Sequence, residues 1–251
     1  MPKLVILGTA SAVPDEEHDN THMVLVGQEH TLLIDCVNNP VVRLKRAGVT
    51  LDQVTDLLLT HFHPDHVAGV PMLLMSMWLL GRKHPLNLYG LDYTLTRVED
   101  LMAAFDWESW PNFFPVVFHH LPARALMQVI VTEEWRVFSS PVKHVIPTIG
   151  LRVEFRQSNK VLVYSSDTEP CYQMVRLGRE ADILIHEAAG ETAGHSSASQ
   201  AGAIAREAKA KILYLIHYRT GNPHPESLVE EAAQTFGNRV YLAQDFMEFE
   251  F

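Results

Sequence analysis

Cysteine is almost absent from this 251-residue chain, which carries only Cys36 and Cys171. Two cysteines cannot build a disulfide framework or a four-cysteine zinc site, and a reducing compartment is the simpler setting. Basic charge is also scarce, with 20 Lys and Arg against 30 Asp and Glu and a formal net charge of −10. Such a chain lacks the overall attraction to phosphate backbones on which non-specific nucleic-acid binders rely, so only a local basic patch would serve that partner. Long hydrophobic runs are missing. The greasiest stretch, Val70 to Leu80, falls short of the ~20 residues needed to cross a bilayer. The N-terminal Lys3-Leu4-Val5-Ile6-Leu7-Gly8 is too short for a signal-peptide core and reads as a buried strand. A cytoplasmic location with no membrane partner is therefore the expectation. Repeats, low-complexity tracts and linkers do not occur. No Gly-x-Ser-x-Gly is present either, so a serine-based nucleophile has no support.

What the chain does have is core-forming material: 47% hydrophobic and 20% charged residues, close to the globular average. Short apolar runs at 3–8, 23–26 and 31–35, with Gly, Asn, Asp and Pro in their turns, read as strands. Residues 40–48 read as a short helix stopped by Gly48, and 57–60 as a buried strand. The stretch 64–80 reads as one helix, with proline in its first turn and Gly81 as its stop. Further strands fit 86–89, 116–121, 127–131, 135–139, 149–156 and 160–165. Then the rhythm changes. Strands at 183–185, 212–216 and 240–242 alternate with helices at 197–208 and 225–236, as in βα units. Two mixed halves, each a sheet with helices outside, predict an α/β (α+β) chain. The expected architecture is a four-layer αββα sandwich in which residues 1–251 form a single domain.

Residues 105–115 are dense in aromatics and prolines (Phe105, Trp107, Trp110, Pro111, Phe113, Phe114, Pro115). A loop packed on the core accounts for them; a lid over the active site or a homodimer contact is the sharper reading, since large aromatics are enriched in such surfaces.

The strongest chemical signal is Thr60-His61-Phe62-His63-Pro64-Asp65-His66, directly after a buried strand. In extended chain, residues i and i+2 point the same way, so His61 and His63 can converge on one ion. Asp65 and His66 then fall in the first helical turn, where they can address a second. Three imidazoles and a carboxylate do not pack together cheaply without a cation or solvent. Neutral imidazole and carboxylate suit Zn²⁺, with Mn²⁺ or Fe²⁺ fitting where oxygen ligands are more numerous. The cluster cannot complete two sites alone. His144, Asp167 and His217 each follow an apolar, strand-like run, and are the candidates to complete them. A histidine at a strand end is ordinarily a surface or satisfied core residue; here the cluster makes the difference.

With these residues in place, the chain resembles the metallo-β-lactamase superfamily, the αββα hydrolases with two metals, from Gly8 through His217. The resemblance implies one metal on His61, His63 and His144, a second on Asp65, His66 and His217, and Asp167 bridging them. Three further pieces resemble the ribonuclease Z branch: Gly8-Thr9-Ala10-Ser11-Ala12-Val13-Pro14, His186-Glu187-Ala188 and Gly194-His195-Ser196-Ser197. Two departures argue against tRNA as a partner. The branch carries a long tRNA-gripping arm between the residues matching His144 and Asp167, where this chain has only residues 145–166. Its basic loop after the first proline reads here as Asp15-Glu16-Glu17-His18-Asp19-Asn20, and acidic residues near a phosphate path repel RNA.

Two divalent ions ~3.5–4 Å apart share a bridging water and present it as hydroxide at neutral pH. Asp65 would both ligate metal and orient that hydroxide. His195 is the candidate proton donor to the leaving group. It precedes Ser196 and a Ser197/Gln200 capping box that opens a helix, whose N–H groups could hold an anionic oxygen. The ribonuclease Z resemblance adds Glu187 as the carboxylate that orients this imidazole. His186 fits either a supporting role or core packing. The expectation is a dinuclear hydrolase of small or short nucleotide-like phosphodiesters. A lactonase or thioesterase on the same metals is the alternative.

Overall fold

The computed structural model describes residues 1–221 and 224–251. Along the chain run β1 (Lys3–Gly8), β2 (His22–Val26), β3 (Thr31–Ile34), α1 (Pro40–Arg46), β4 (Asp56–Leu58), α2 (Pro64–Val67), α3 (Val70–Leu79), β5 (Leu86–Leu91), α4 (Asp92–Ala103) and β6 (Val116–Leu121). There follow β7 (Met127–Val131), β8 (Trp135–Val142), β9 (Thr148–Phe155), β10 (Val161–Tyr164), α5 (Tyr172–Leu177) and β11 (Ile183–Glu187). Last come α6 (Ala198–Glu207), β12 (Leu213–Ile216), α7 (Glu226–Phe236), β13 (Val240–Leu242) and β14 (Glu248–Glu250). These form two mixed seven-stranded sheets, ordered β14-β1-β2-β3-β4-β5-β6 and β13-β12-β11-β10-β9-β8-β7. The sheets belong to two compact units. The first comprises Met1–Leu7, Thr21–Pro122 and Phe246–Glu250; the second comprises Gly8–Asn20, Ala123–Asp245 and Phe251.

In the first unit β3, β4, β5 and β6 run parallel. Their apolar side chains pack with α1, α3 and α4 into a core that includes Leu33, Leu44, Leu57, Leu73, Met77, Leu88, Leu95 and Val98. Residues 105–115 pack onto this core: Phe114 is buried, and Trp107, Trp110 and Phe113 lean against it. Trp78 stacks on Trp110 at 5.0 Å and donates its indole N–H to the Pro111 carbonyl. In the second unit β10, β11 and β12 run parallel, with α5, α6 and α7 covering Leu184, Leu213 and Leu215. Asp35, His61, Asp167, Glu187 and His217 sit at or just past the carboxyl ends of these parallel strands, where α/β sheets open their crevices, whereas His144 follows β8, which is antiparallel to both of its neighbours.

Four elements depart from expectation. The helix expected over 64–80 is two helices, broken at Ala68–Gly69. Pro71 has no N–H to give and its ring crowds the preceding turn. A Cβ on Gly69 would also stand 2.7 Å from the Val37 carbonyl oxygen. Helices α4 and α5 and the short β14 were not anticipated.

Candidate metal centre

In the first unit the segment carrying His61, His63, Asp65 and His66 leaves β4 beside β3. Asp35 donates its N–H to the Leu58 carbonyl and holds a left-handed φ of 60°, which aims a buried carboxylate at the residues following β4. That carboxylate accepts the Thr60 N–H at 2.8 Å and the Thr60 hydroxyl at 2.9 Å. With its proton so directed, Thr60 Oγ1 accepts from His61 Nδ1 at 3.0 Å. Asp35 Oδ2 also accepts from His66 Nδ1 at 2.8 Å. One carboxylate thereby engages Nδ1 of both histidines, directly for His66 and through Thr60 for His61, the kind of support that orients metal-binding imidazoles. His61 Nε2 faces His63 Nδ1 at 3.2 Å, and His66 Nε2 lies 3.6 Å from Asp65 Oδ2. His63, with extended backbone, caps α2 and places Asp65 in its first turn. Sequence reasoning missed Asp35. Its only signal was an acid closing the apolar run 31–35, the same signal that singled out Asp167.

In the second unit, Asp167 and His217 follow β10 and β12. Asp167 Oδ2 lies 3.3 Å from His217 Nε2, and both side chains are buried. Ser166 and His217 hold φ of 54° and 55°, a strained backbone for residues with a Cβ and one that clusters at functional sites. Ligand atoms of Asp167, His195 and His217 lie within 4.8 Å of one another, and the His195 and His217 rings stack at 5.8 Å. His144 donates its Nδ1–H to the Gly194 carbonyl at 2.7 Å. These donor sets, imidazole with carboxylate, fit a divalent ion of the zinc type.

Glu187 ends β11 with a fully buried carboxylate. Its Oε1 accepts from His195 Nδ1 at 3.1 Å and from the N–H groups of Thr168 and Ser196, each at 3.0 Å. Oε2 accepts the Ala189 N–H at 2.9 Å. A carboxylate so fully engaged holds one orientation, and the His195 ring with it. The expected anion cradle at the start of α6 is not what this segment provides. The capping box forms as expected, with Ser197 and Gln200 bonded reciprocally. However, the Ser196 N–H is spent on Glu187 and that of Ser199 on Glu231. His186 is fully buried, donates Nδ1–H to the Glu187 carbonyl, and is pushed below the usual imidazole range by that burial. It belongs to the core rather than to the donor set. Burial pushes the Cys36 thiol well up, which leaves it inert. Past Glu187 opens a cavity of about 470 Å³, lined by Ala188, Ala189, Gly190, Arg219, Gly221 and Leu228.

Among solved structures, the metallo-β-lactamase fold protein YhfI from Bacillus subtilis superposes with a TM-score of 0.84 at 20% identity, covering 99% of this chain and 98% of that one. The fold is thus the metallo-β-lactamase fold; fold, donor sets and ribonuclease Z relatives together define a metal-dependent hydrolase. Ribonuclease Z of Methanothermobacter thermautotrophicus is 28% identical over 301 aligned positions, spanning 94% of this chain and 92% of the relative. Ribonuclease Z of Mycobacterium sp. (strain KMS) is 30% identical over 246, spanning 87% and 84%. Within the superfamily the chain belongs to the family described as "Anti-Pycsar protein Apyc1", which matches residues 2–239.

Proposed function

We propose that this protein is a phosphodiesterase acting on small or short nucleotide-like diesters. Its ligands would be His61, His63 and His144 for one divalent ion and Asp65, His66 and His217 for the other, with Asp167 shared. When bound, the ions supply an activated water and neutralise charge on the attacked phosphoryl group. Zinc is the ion these donors suit best, with manganese or iron as substitutes. Asp65 orients the water from the first turn of α2. His195, held through Nδ1 by Glu187, presents Nε2 to the leaving oxygen and gives it a proton.

The observation that carries this reading is the Glu187–His195 pair beside Asp167 and His217. An alkoxide leaving from phosphorus needs such a donor, whereas a thiolate leaving from a thioester does not. The ribonuclease Z relatives, named for cutting RNA, support phosphorus as the attacked atom. Several features support a small substrate rather than tRNA. Residues 145–166 are spent on β9, β10 and their turn. The alignment with the archaeal ribonuclease Z runs over 301 positions, more than this chain has residues, so the relative carries insertions that are missing here. Asp15 is folded into its own loop by the N–H groups of Glu17 and His18, leaving Glu16 and Glu17 exposed where a basic loop would grip RNA. No described helix is long and apolar enough to cross a membrane, and both thiols are free, which suits a reducing cytoplasm.

The test is a ranking. Zinc- or manganese-loaded protein is expected to cleave bis-p-nitrophenyl phosphate faster than lactones or acyl thioesters, and to leave precursor tRNA uncut; the reverse ranking makes it a carboxyl-ester hydrolase instead. His195→Ala is expected to lower kcat by roughly 10²–10⁴-fold on a dinucleotide, whose leaving oxygen is an alkoxide, and far less on bis-p-nitrophenyl phosphate, whose nitrophenolate leaves without a proton, with metal content intact. Unchanged turnover of the dinucleotide would remove the proton-donor role.

A further inference from the structure

The 190–195 loop carries both His195 and the carbonyl that holds His144, and something must hold the loop. Gly194, at φ 84°, comes so close that a Cβ there would stand 2.6 Å from His144 Nδ1. Its carbonyl accepts from that nitrogen. Its N–H, in turn, is donated to Glu169 Oε1 at 2.9 Å. The other oxygen of Glu169 pairs with Lys143 Nζ, and the Glu169 N–H is donated to the Lys143 carbonyl at 2.7 Å. Glu169 therefore ties the backbone ahead of His144 to the residue that orients the His144 ring, two positions after Asp167. The Glu169 carboxylate thus meets the Gly194 N–H with one oxygen and the Lys143 ammonium with the other. Sequence alone marked neither Glu169 nor Lys143.

We propose that Glu169 is a positioning residue of the metal centre: through Gly194 it sets the His144 imidazole toward the ion and keeps His195 against Glu187. This rests on His144 as a metal ligand and His195 as the proton donor, as proposed above. The plainer account is a surface ion pair with Lys143, and such pairs contribute little. The two accounts separate by variant. If the Gly194 bond matters, Glu169→Ala releases the loop. Glu169→Gln, whose amide oxygen still accepts that N–H, recovers most of the loss. Lys143→Ala, which removes only the ion pair, costs little.

The experiment loads wild type and the three variants with cobalt and with zinc. It reads the visible cobalt spectrum, zinc affinity against a competing chelator, and kcat and KM on bis-p-nitrophenyl phosphate. For Glu169→Ala we expect an altered cobalt spectrum, zinc held roughly 10–100-fold more weakly at one site, and kcat lowered to a similar degree with KM little changed. Glu169→Gln should return kcat to within a few-fold of wild type. An Ala variant with the wild-type spectrum and zinc affinity, or a Lys143→Ala variant that reproduces it, overturns the proposal. So does a Gln variant no better than Ala. If the wild type binds metal but cleaves no diester, the phosphodiesterase reading fails while the spectra and affinities still decide on Glu169.

Discussion

Asp35 shows how much of the candidate centre rests on a group outside its donor set. Its carboxylate is fully buried, and the Thr60 N–H, the Thr60 hydroxyl and His66 Nδ1 all converge on it. Through Thr60 its influence reaches His61 as well. Removing it would free two imidazoles to rotate and to choose the wrong tautomer. Asp35→Asn keeps the shape and one acceptor oxygen but puts an amide where His66 must donate. With His61 and His66 as ligands, the expected outcome is zinc affinity reduced by roughly 10–100-fold, measured by competition with a chelator. Thermal stability should fall far less than in Asp35→Ala, which would strand the Thr60 N–H in the interior. An Asn variant with wild-type affinity would mean that His66 is held by something else.

Among the elements, the aromatic segment 105–115 is where bland and sharp readings compete. Trp110 stacks on Trp78 and meets Phe113 edge-on at 5.5 Å, so packing on the first unit's core accounts for it. Trp110→Ala is expected to cost about 1–2 kcal/mol, the scale for a half-buried aromatic. That lowers Tm by roughly 3–8 °C while the folded protein keeps its turnover. Lost turnover with stability intact, or a dimer that falls apart, would restore the lid or the dimer contact. How much of these elements could be read beforehand follows from what announces each one. Strands β1 to β6 are bounded by turn residues, and α6 opens with a side-chain cap at Ser197. By contrast, α4 starts straight from β5 at Leu91 with no side-chain cap, and the six-residue α5 follows an uncapped Cys171. Neither had a start signal. In the candidate centre, the strand-end donors could be singled out because an apolar run closed by His or Asp is visible locally. Asp35 and Glu169 were not, nor was the contact that Gly194, itself part of a recognisable short piece, makes with His144, because the partners lie 25 to 50 residues away and only the fold pairs them.

At the scale of the whole molecule, the chain crosses between its two compact units after residues 7, 20, 122, 245 and 250. Neither unit is a continuous stretch. The first takes β1 from one end of the chain and β14 from the other, paired antiparallel with Lys3 opposite Glu250; Arg43 and Arg46 then lie over Phe246 at 4.4 and 3.9 Å. A unit closed by both termini cannot lose its edge strand without releasing the chain that leads into the other unit. We therefore propose that residues 1–251 unfold as one cooperative domain. Calorimetry of the metal-free protein is expected to show a single transition whose van't Hoff and calorimetric enthalpies agree. Removing residues 246–251 should lower the midpoint of that whole transition, since β14 closes the edge beside β1. Two resolved transitions, with only one of them shifted by the truncation, would make each unit a folding domain in its own right.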